Sequence, residues 1–254
     1  MFALERQKRI LELLNQHGSV SVSKLSAEFS ITEETVRRDL EKLEKQEQLL
    51  RTHGGAVPID SGAYELSLEK RKNTNTLVKE KLAKIAAQHV FPGDTIFLDA
   101  STTTFFMARE LKKMKNITIV TNSIRVINEL SSQSDIKVIA VGGQVSNNQS
   151  FVGSMAENTI EENYFANKMF FSSKGVTLDG GILESNEQEC AIKQKMLKNS
   201  GEIFYMCDKS KIGRIGFAKL STFDQIDYFV TDGNFNDNWN KIFEDTNVKV
   251  IKAE

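Results

Sequence analysis

The segment TEETVRRDLEKL, Thr32 to Leu43, decides how the rest of the chain is read. At helical spacing Val36, Leu40 and Leu43 share one face (i, i+4, i+7), which turns inward. The opposite side carries Glu34, Thr35, Arg38, Glu41, Lys42 and Lys45, with Arg37 and Asp39 on the flanks. Thr32 is placed to cap the helix, and Glu33 and Glu34 sit in the first turn, where the helix dipole favours negative charge. Such a helix, apolar behind and Thr-Val-Arg-Arg in front, suits a DNA major groove. There, arginine bonds bidentately to guanine and a threonine methyl touches thymine. A merely solvated amphipathic helix would look the same, so its neighbours decide.

Upstream, Leu4, Ile10, Leu11, Leu13 and Leu14 mark an amphipathic helix from about 3 to 16, stopped at His17-Gly18, with His17 as a polar cap. Ser19 to Ser21 reads as a short extended piece, and Ser21 can cap a second helix bearing Val22, Leu25 and Phe29. Only Ser30-Ile31 separates that helix from the third, which is the spacing of a helix-turn-helix whose second helix reads DNA. Downstream, Leu49–Thr52 and His53–Val57 form two extended pieces around a Gly-rich turn, with Arg51 at the edge. Residues 1–57 therefore predict a winged helix that binds double-stranded operator DNA. Thr35, Arg37 and Arg38 are expected to face bases. Lys42 and Arg51 are expected on phosphates, and His53 completes the DNA-facing set on the wing.

Composition neither advertises nor forbids this. Lys and Arg total 33 against 34 Asp and Glu, so DNA contact must use a local basic face rather than a bulk field. No apolar run approaches the roughly 18 residues that would span a membrane, and charges interrupt the N-terminus within a few residues, so a cytoplasmic protein is expected. Cys190 and Cys207 lack a C-x-x-C or neighbouring histidines, and read as buried apolar residues rather than metal ligands or a disulfide.

Residues 58–76 show no clear periodicity and are read as the connection between domains, the charge run Leu68–Lys72 being a solvated helix face. From residue 77 to 254 short apolar strands alternate with helical stripes. Strands are expected at 95–99, 117–121, 136–141, 169–172, 202–207, 228–231 and 248–251, with helices that include 155–163 and 187–198. That alternation predicts a Rossmann-like, mostly parallel sheet covered on both faces.

In such a sheet ligands bind beyond the carboxyl ends of the strands. The residues just after the strands are chemically uniform. They include Asp99 with Ser101, Thr102, Thr103 and Thr104; Thr121 and Asn122; Gly142 and Gly143; Ser173 and Lys174; and Lys211. Hydroxyl-rich loops feeding helix N-termini are anion sites, because free N–H groups and the helix dipole converge there. Lysines add charge, and Asp99, Asn122 and Asn186 can bond sugar hydroxyls. A phosphorylated small polar ligand is therefore expected, with no metal or other cofactor.

At this point the sequence resembles the DeoR family of bacterial sugar-metabolism regulators over essentially its whole length. The resemblance rests on EETVRRDL (Glu33 to Leu40), RTHGGA (Arg51 to Ala56), GDTIFLDASTTT (Gly93 to Thr104), VTNS (Val120 to Ser123), VGG (Val141 to Gly143), SNE (Ser185 to Glu187) and DKSK (Asp208 to Lys211). It implies a winged-helix operator-binding domain, a sensor domain built like ribose-5-phosphate isomerase, a phosphorylated sugar as effector, and a dimer or tetramer. The family commonly has Gly where Ser30 and Ser101 stand, and Gly-Ala followed by an acidic residue or Asn at Ser172-Ser173-Lys174. The DASTTT, SSKG and ESNE segments lean toward regulators of deoxyhexose catabolism. The rival reading, a sugar-phosphate isomerase with an accessory domain, needs an acid–base carboxylate at the sugar carbons. Lys174 stands where such enzymes place an acid, leaving Asp99 and Glu187 as possible bases. An RNA-binding winged helix lacks an exposed aromatic platform. The expected role is a DNA-binding regulator, most simply a repressor of a carbohydrate operon, and not an enzyme.

Overall fold

The computed structural model describes residues 3–17, 19–46, 48–52, 54–58 and 68–253. The chain divides into two compact units, Met1–Leu66 and Ser67–Glu254.

The first unit runs α1 (Ala3–His17), β1 (Val20–Ser21), α2 (Val22–Phe29), α3 (Glu33–Lys45), β2 (Leu50–Thr52) and β3 (Gly55–Val57). Its core is the set the periodicity selects, with Ile10, Leu14, Leu25, Val36, Leu40, Leu43 and Leu49 all at 2 % exposure or less. Both cap expectations hold, since Ser21 Oγ accepts from Lys24 N–H and Thr32 Oγ1 from Thr35 N–H, each at 3.3 Å. Between α2 and α3 the chain reverses on Ser30, whose left-handed backbone (φ 53°, ψ 47°) is the conformation that favours glycine. The piece at 19–21 is a third strand of the wing, and the sheet order is β1-β3-β2. Gly55 permits this closure, because a Cβ there would stand 1.8 Å from the Val20 carbonyl oxygen.

The flank position given to Asp39 is corrected. Asp39 is buried, with Arg6 Nε at 2.5 Å and Gln7 Nε2 donating at 2.9 Å. A buried carboxylate needs such partners, and here they tie α3 to α1.

The second unit opens with α4 (Leu68–Asn73), so the charge run is helical, and continues with α5 (Thr76–Ala87), β4 (Thr95–Leu98) and α6 (Thr102–Leu111). Next come β5 (Ile117–Thr121), α7 (Ile124–Leu130), β6 (Ile136–Ala140), the hairpin β7 (Gln144–Val145) and β8 (Phe151–Val152), and α8 (Ser154–Asn163). The chain then forms β9 (Ala166–Phe171), β10 (Gly175–Thr177), β11 (Gly181–Glu184), α9 (Glu187–Lys198), β12 (Ser200–Met206), β13 (Ala218–Ser221), β14 (Tyr228–Thr231), α10 (Asp237–Asp245) and β15 (Lys249–Lys252). Seven strands make one parallel sheet, in order β15-β14-β12-β9-β4-β5-β6. The short strands β10, β11 and β13 form a separate antiparallel sheet, which the alternating pattern does not announce.

Strand residues divide by period two between the sheet's faces. Ile96 and Leu98 join the layer of α5, α6 and α7 around Leu82, Met107 and Val126. Phe97 faces the other way, into the layer of α8, α9 and α10 with Ile160, Ile192 and Phe243. Burial on both faces makes these strands apolar runs rather than alternating ones. From β4 the chain winds outward through β5 and β6, then returns to the other side of β4 and winds through β9, β12, β14 and β15. Strand order reverses between β4 and β9, which is where a doubly wound sheet opens a crevice at its carboxyl edge.

Candidate functional site

On α3 the polar front faces solvent as its spacing requires. Arg38 has a side chain 75 % exposed and lies 3.7 Å from Glu34, a loose pair, whereas Arg37 is held by Glu33 at 2.8 Å. Exposed pairs of this kind are worth at most about 1 kcal/mol and yield readily to phosphate or base. Thr35 shares a 2.9 Å hydroxyl contact with Thr32, and Lys42 is exposed. Arg51 is engaged at home. Its amide and its Nε donate to Glu44 at 3.0 and 2.9 Å, holding that carboxyl below the usual range and joining the wing to α3. His53 lies outside the described residues.

At the switch point Asp99 directly follows β4, wholly buried. Lys193 from α9 stands 2.9 Å from one of its oxygens, and Thr104 Oγ1 donates at 2.7 Å to the other. The amides of Ser101 and Ser172 add bonds of 3.2 and 3.3 Å. Burial alone would raise the Asp99 pKa. The Lys193 charge and these donors together outweigh it and hold the carboxyl below its ordinary value. Lys193 also meets Glu184 at 2.5 Å and donates to the Ser172 carbonyl at 2.7 Å. Burial disfavours its charge, yet Asp99 and Glu184 prevail and push its pKa up. Asp99 is thus a tethered anion that shapes the β4 loop, rather than a free base or hydroxyl partner.

The other sequence candidates separate by whether their polar atoms are already used. Ser101 caps α6 by accepting from Thr104 N–H at 3.2 Å. Thr121 Oγ1 donates to Leu98 O at 2.7 Å, and Ser173 Oγ lies 2.7 Å from Tyr205 Oη and 3.0 Å from Gly175 O. Asn186 caps α9, and Glu187 is exposed in that helix's first turn. Gly142 and Gly143 turn the chain at positive φ, 71° and 121°, and Lys174 pairs its amide with Leu183 O. Thr102 is buried at the first position of α6. Lys211 reaches back from the loop after β12, its Nζ donating at 2.7 Å to Ser172 Oγ at the end of β9.

Thr103 Oγ1 and the Oδ1 of Asn122 are different, for both are buried and without a partner. The first lies at the N-terminus of α6, whose opening N–H groups lack partners within the helix, that of Thr104 being capped by Ser101. The second follows β5, the next strand, and its orientation is set by its own Nδ2, which donates to Phe151 O at 3.2 Å.

Several residues of this edge escape the sequence reading. Glu189 and Lys193 stand four apart on the apolar stripe of α9 with Cys190, Ile192 and Met196, which was a visible signal of buried charge. Glu189 accepts from Ser146 and, more closely, from Ser150, yet burial raises its pKa. Lys79 lies buried on the carbonyls of Arg71 and Thr74, its pKa lowered to about 8 by burial and by the charge of Lys211. The two cysteines are free and buried, and burial pushes Cys190 to about 11 and Cys207 to about 12, so neither is a reactive thiolate.

Two family models match this chain, a DeoR-like helix-turn-helix domain over residues 6–62 and a DeoR C terminal sensor domain over residues 74–233. The chain belongs to the DeoR family. It is 41 % identical to an uncharacterized HTH-type transcriptional regulator of Bacillus subtilis, over 98 % of this chain and 96 % of that one. It is 32 % identical to the glycerol-3-phosphate regulon repressor of Escherichia coli, over 90 % of each. It is also 32 % identical to the L-fucose operon activator of Haemophilus influenzae, over 97 % of this chain and 98 % of that one. Among solved structures, the ribose 5-phosphate isomerase A of Methanocaldococcus jannaschii aligns over 55 % of each chain at 16 % identity, with a TM-score of 0.42. This DeoR-family chain is a transcriptional regulator rather than an enzyme. No helix among its described residues is long and apolar enough to cross a membrane.

Proposed function

We propose that this regulator represses a carbohydrate catabolic operon and releases its operator when a phosphorylated sugar binds at the carboxyl edge of the sheet, at the ends of β4 and β5. The observation that carries the reading is the pair of buried, unpartnered atoms, Thr103 Oγ1 and Asn122 Oδ1, at the carboxyl ends of adjacent strands. Burying a polar group without a partner costs about 1–3 kcal/mol, so such atoms call for a ligand. A hydroxyl at the start of a helix serves an anion, and an amide oxygen serves a ligand hydroxyl. Relatives named for repressing a glycerol-3-phosphate regulon and an aga operon support the repressor role, although one is named as an activator. The lean toward deoxyhexose catabolism finds a counterpart in that activator's L-fucose operon, while the other names point to several substrates.

On DNA, Thr35, Arg37 and Arg38 read bases while Lys42 and Arg51 hold phosphates, and a dimer or tetramer presents paired helices to paired half-sites. Fluorescence anisotropy on the promoter region beside the protein's own gene, titrated with sugar phosphates and their unphosphorylated sugars, tests this. One sugar phosphate should weaken binding where its parent sugar does not. Operator affinity indifferent to every sugar phosphate would remove the effector from the reading and leave the DNA-binding role standing.

A further inference from the structure

Arg125 is the second residue of α7, directly after the Thr121-Asn122-Ser123 segment at the end of β5. Its Nη2 donates to the Ala100 carbonyl at 3.1 Å, and its guanidinium carbon lies 5.0 Å from the centroid of the Phe105 ring. Arg125 is therefore fastened to the loop and first turn of α6, the elements that present Thr103. Its Nε and Nη1 are shielded from solvent and bond to nothing. That leaves three of the five N–H bonds of a guanidinium without an acceptor.

No carboxylate among the described residues forms an ion pair with it, and its charged neighbours are Arg71, of the same sign, and, with a smaller influence, Asp99, which Lys193 already pairs. Burial lowers its pKa only to about 10, so it stays charged at neutral pH. An arginine that served the fold alone would sit on a carboxylate or turn its head to water. This one is held by a carbonyl and a ring with its donors exposed to neither.

We propose that Arg125 is the residue that selects the ligand's anionic group, binding it beside the N-terminus of α6 while Asn122 Oδ1 accepts a hydroxyl from the same molecule. This assignment rests on the ligand-responsive reading above and adds an orientation to it. The donors of Arg125 and Thr103 require an acceptor-rich group, such as a phosphate monoester or a carboxylate. Asn122 Oδ1 requires a donor, which the dianion of a phosphate monoester does not supply and a sugar hydroxyl does. The ligand class is thus a small polyol or sugar with an anion at one end, and the neutral sugar leaves the charge of Arg125 unmatched.

The test uses the full-length protein with Arg125→Met and Arg125→Lys, followed by calorimetry and thermal melting. The probes are inorganic phosphate and a set of pentose and hexose monophosphates, each beside its unphosphorylated sugar. Wild type should bind one sugar phosphate more tightly than either inorganic phosphate or the parent sugar. Arg125→Met should lose at least about tenfold in that affinity, as expected when charge-assisted hydrogen bonds are removed, and Arg125→Lys should fall between. Without ligand, Arg125→Met should melt no lower than wild type, because a part-buried cation with no paired carboxylate has been replaced by an apolar side chain.

Unchanged sugar-phosphate affinity in Arg125→Met overturns the assignment and leaves the broader reading intact. A lower ligand-free melting temperature in Arg125→Met that Arg125→Lys restores also overturns it, since the cation would then be a structural strut. If wild type binds none of the phosphorylated probes, the effector reading fails and this assignment fails with it.

Discussion

At the scale of single residues, the chain keeps several groups in states that cost stability. Ser30 holds a left-handed backbone between α2 and α3, a conformation that favours glycine. Ser30→Gly should stabilise the protein by about 0.5–1 kcal/mol, the steric relief exceeding the entropy lost in the unfolded chain. Urea denaturation measures this, and a destabilised variant would mean that the Ser30 side chain supports the turn. Glu189 is a second case. Burial raises its pKa, so the folded chain binds its proton more tightly than the unfolded chain does. Its contribution is full below the ordinary value of 4.5 and is lost as pH rises through the folded-state pKa. Glu189→Gln retains an oxygen for Ser146 and Ser150 without ionising. It should be more stable at neutral pH and flatten the decline of stability above pH 4.5. Melting curves across pH check this, and an unchanged profile would show that Glu189 does not govern it.

At the scale of elements, α3 is built so that its back holds it and its front stays available. Val36, Leu40 and Leu43 are buried to 1 % exposure or less, and Asp39 adds the Arg6 tether, so front-face substitutions leave the helix in place. Arg38→Ala should cost about 1–3 kcal/mol of operator affinity and relax the preference at one base position. Lys42→Ala should weaken all DNA alike and lower the salt slope by about one. Binding of operator variants at several salt concentrations separates the two. Arg38→Ala with affinity and specificity intact would take α3 out of the major groove. The wing was read as a two-stranded hairpin. It is completed by β1, which depends on Gly55 meeting the Val20 carbonyl without a side chain between them.

For the whole molecule, the proposed function rests on a coupling free energy between operator and effector. An effector shifts operator affinity only through its different affinity for the two states, typically by about 1–3 kcal/mol, and operator must weaken effector binding by the same factor. Thr103→Val removes the unpartnered hydroxyl at nearly constant volume. It should weaken the effector and leave effector-free operator binding unchanged, giving a repressor that fails to release. Calorimetry of the variant with each ligand tests this. Loss of operator binding in Thr103→Val would make that loop a structural support instead.

The sequence by itself determined the two domain types, the helix α3, the N-caps of α2 and α3 and the seven strands of the main sheet. Each of these is written in local terms: a periodicity, a capping hydroxyl, or a run of apolar residues between turns. It also located the carboxyl edge of the sheet, since the hydroxyl-rich loops follow the strands directly. What it did not determine is which polar groups at that edge are spent and which are free. Asp99 reads as a ligand-binding carboxylate until Lys193 is placed against it, and Asp39 reads as a surface charge until Arg6 arrives. Arg125 is one more base in a helix until its neighbours leave its donors unmatched. Only the tertiary structure decides these states, because a charge's condition depends on partners brought from distant positions, and no local pattern encodes the partner.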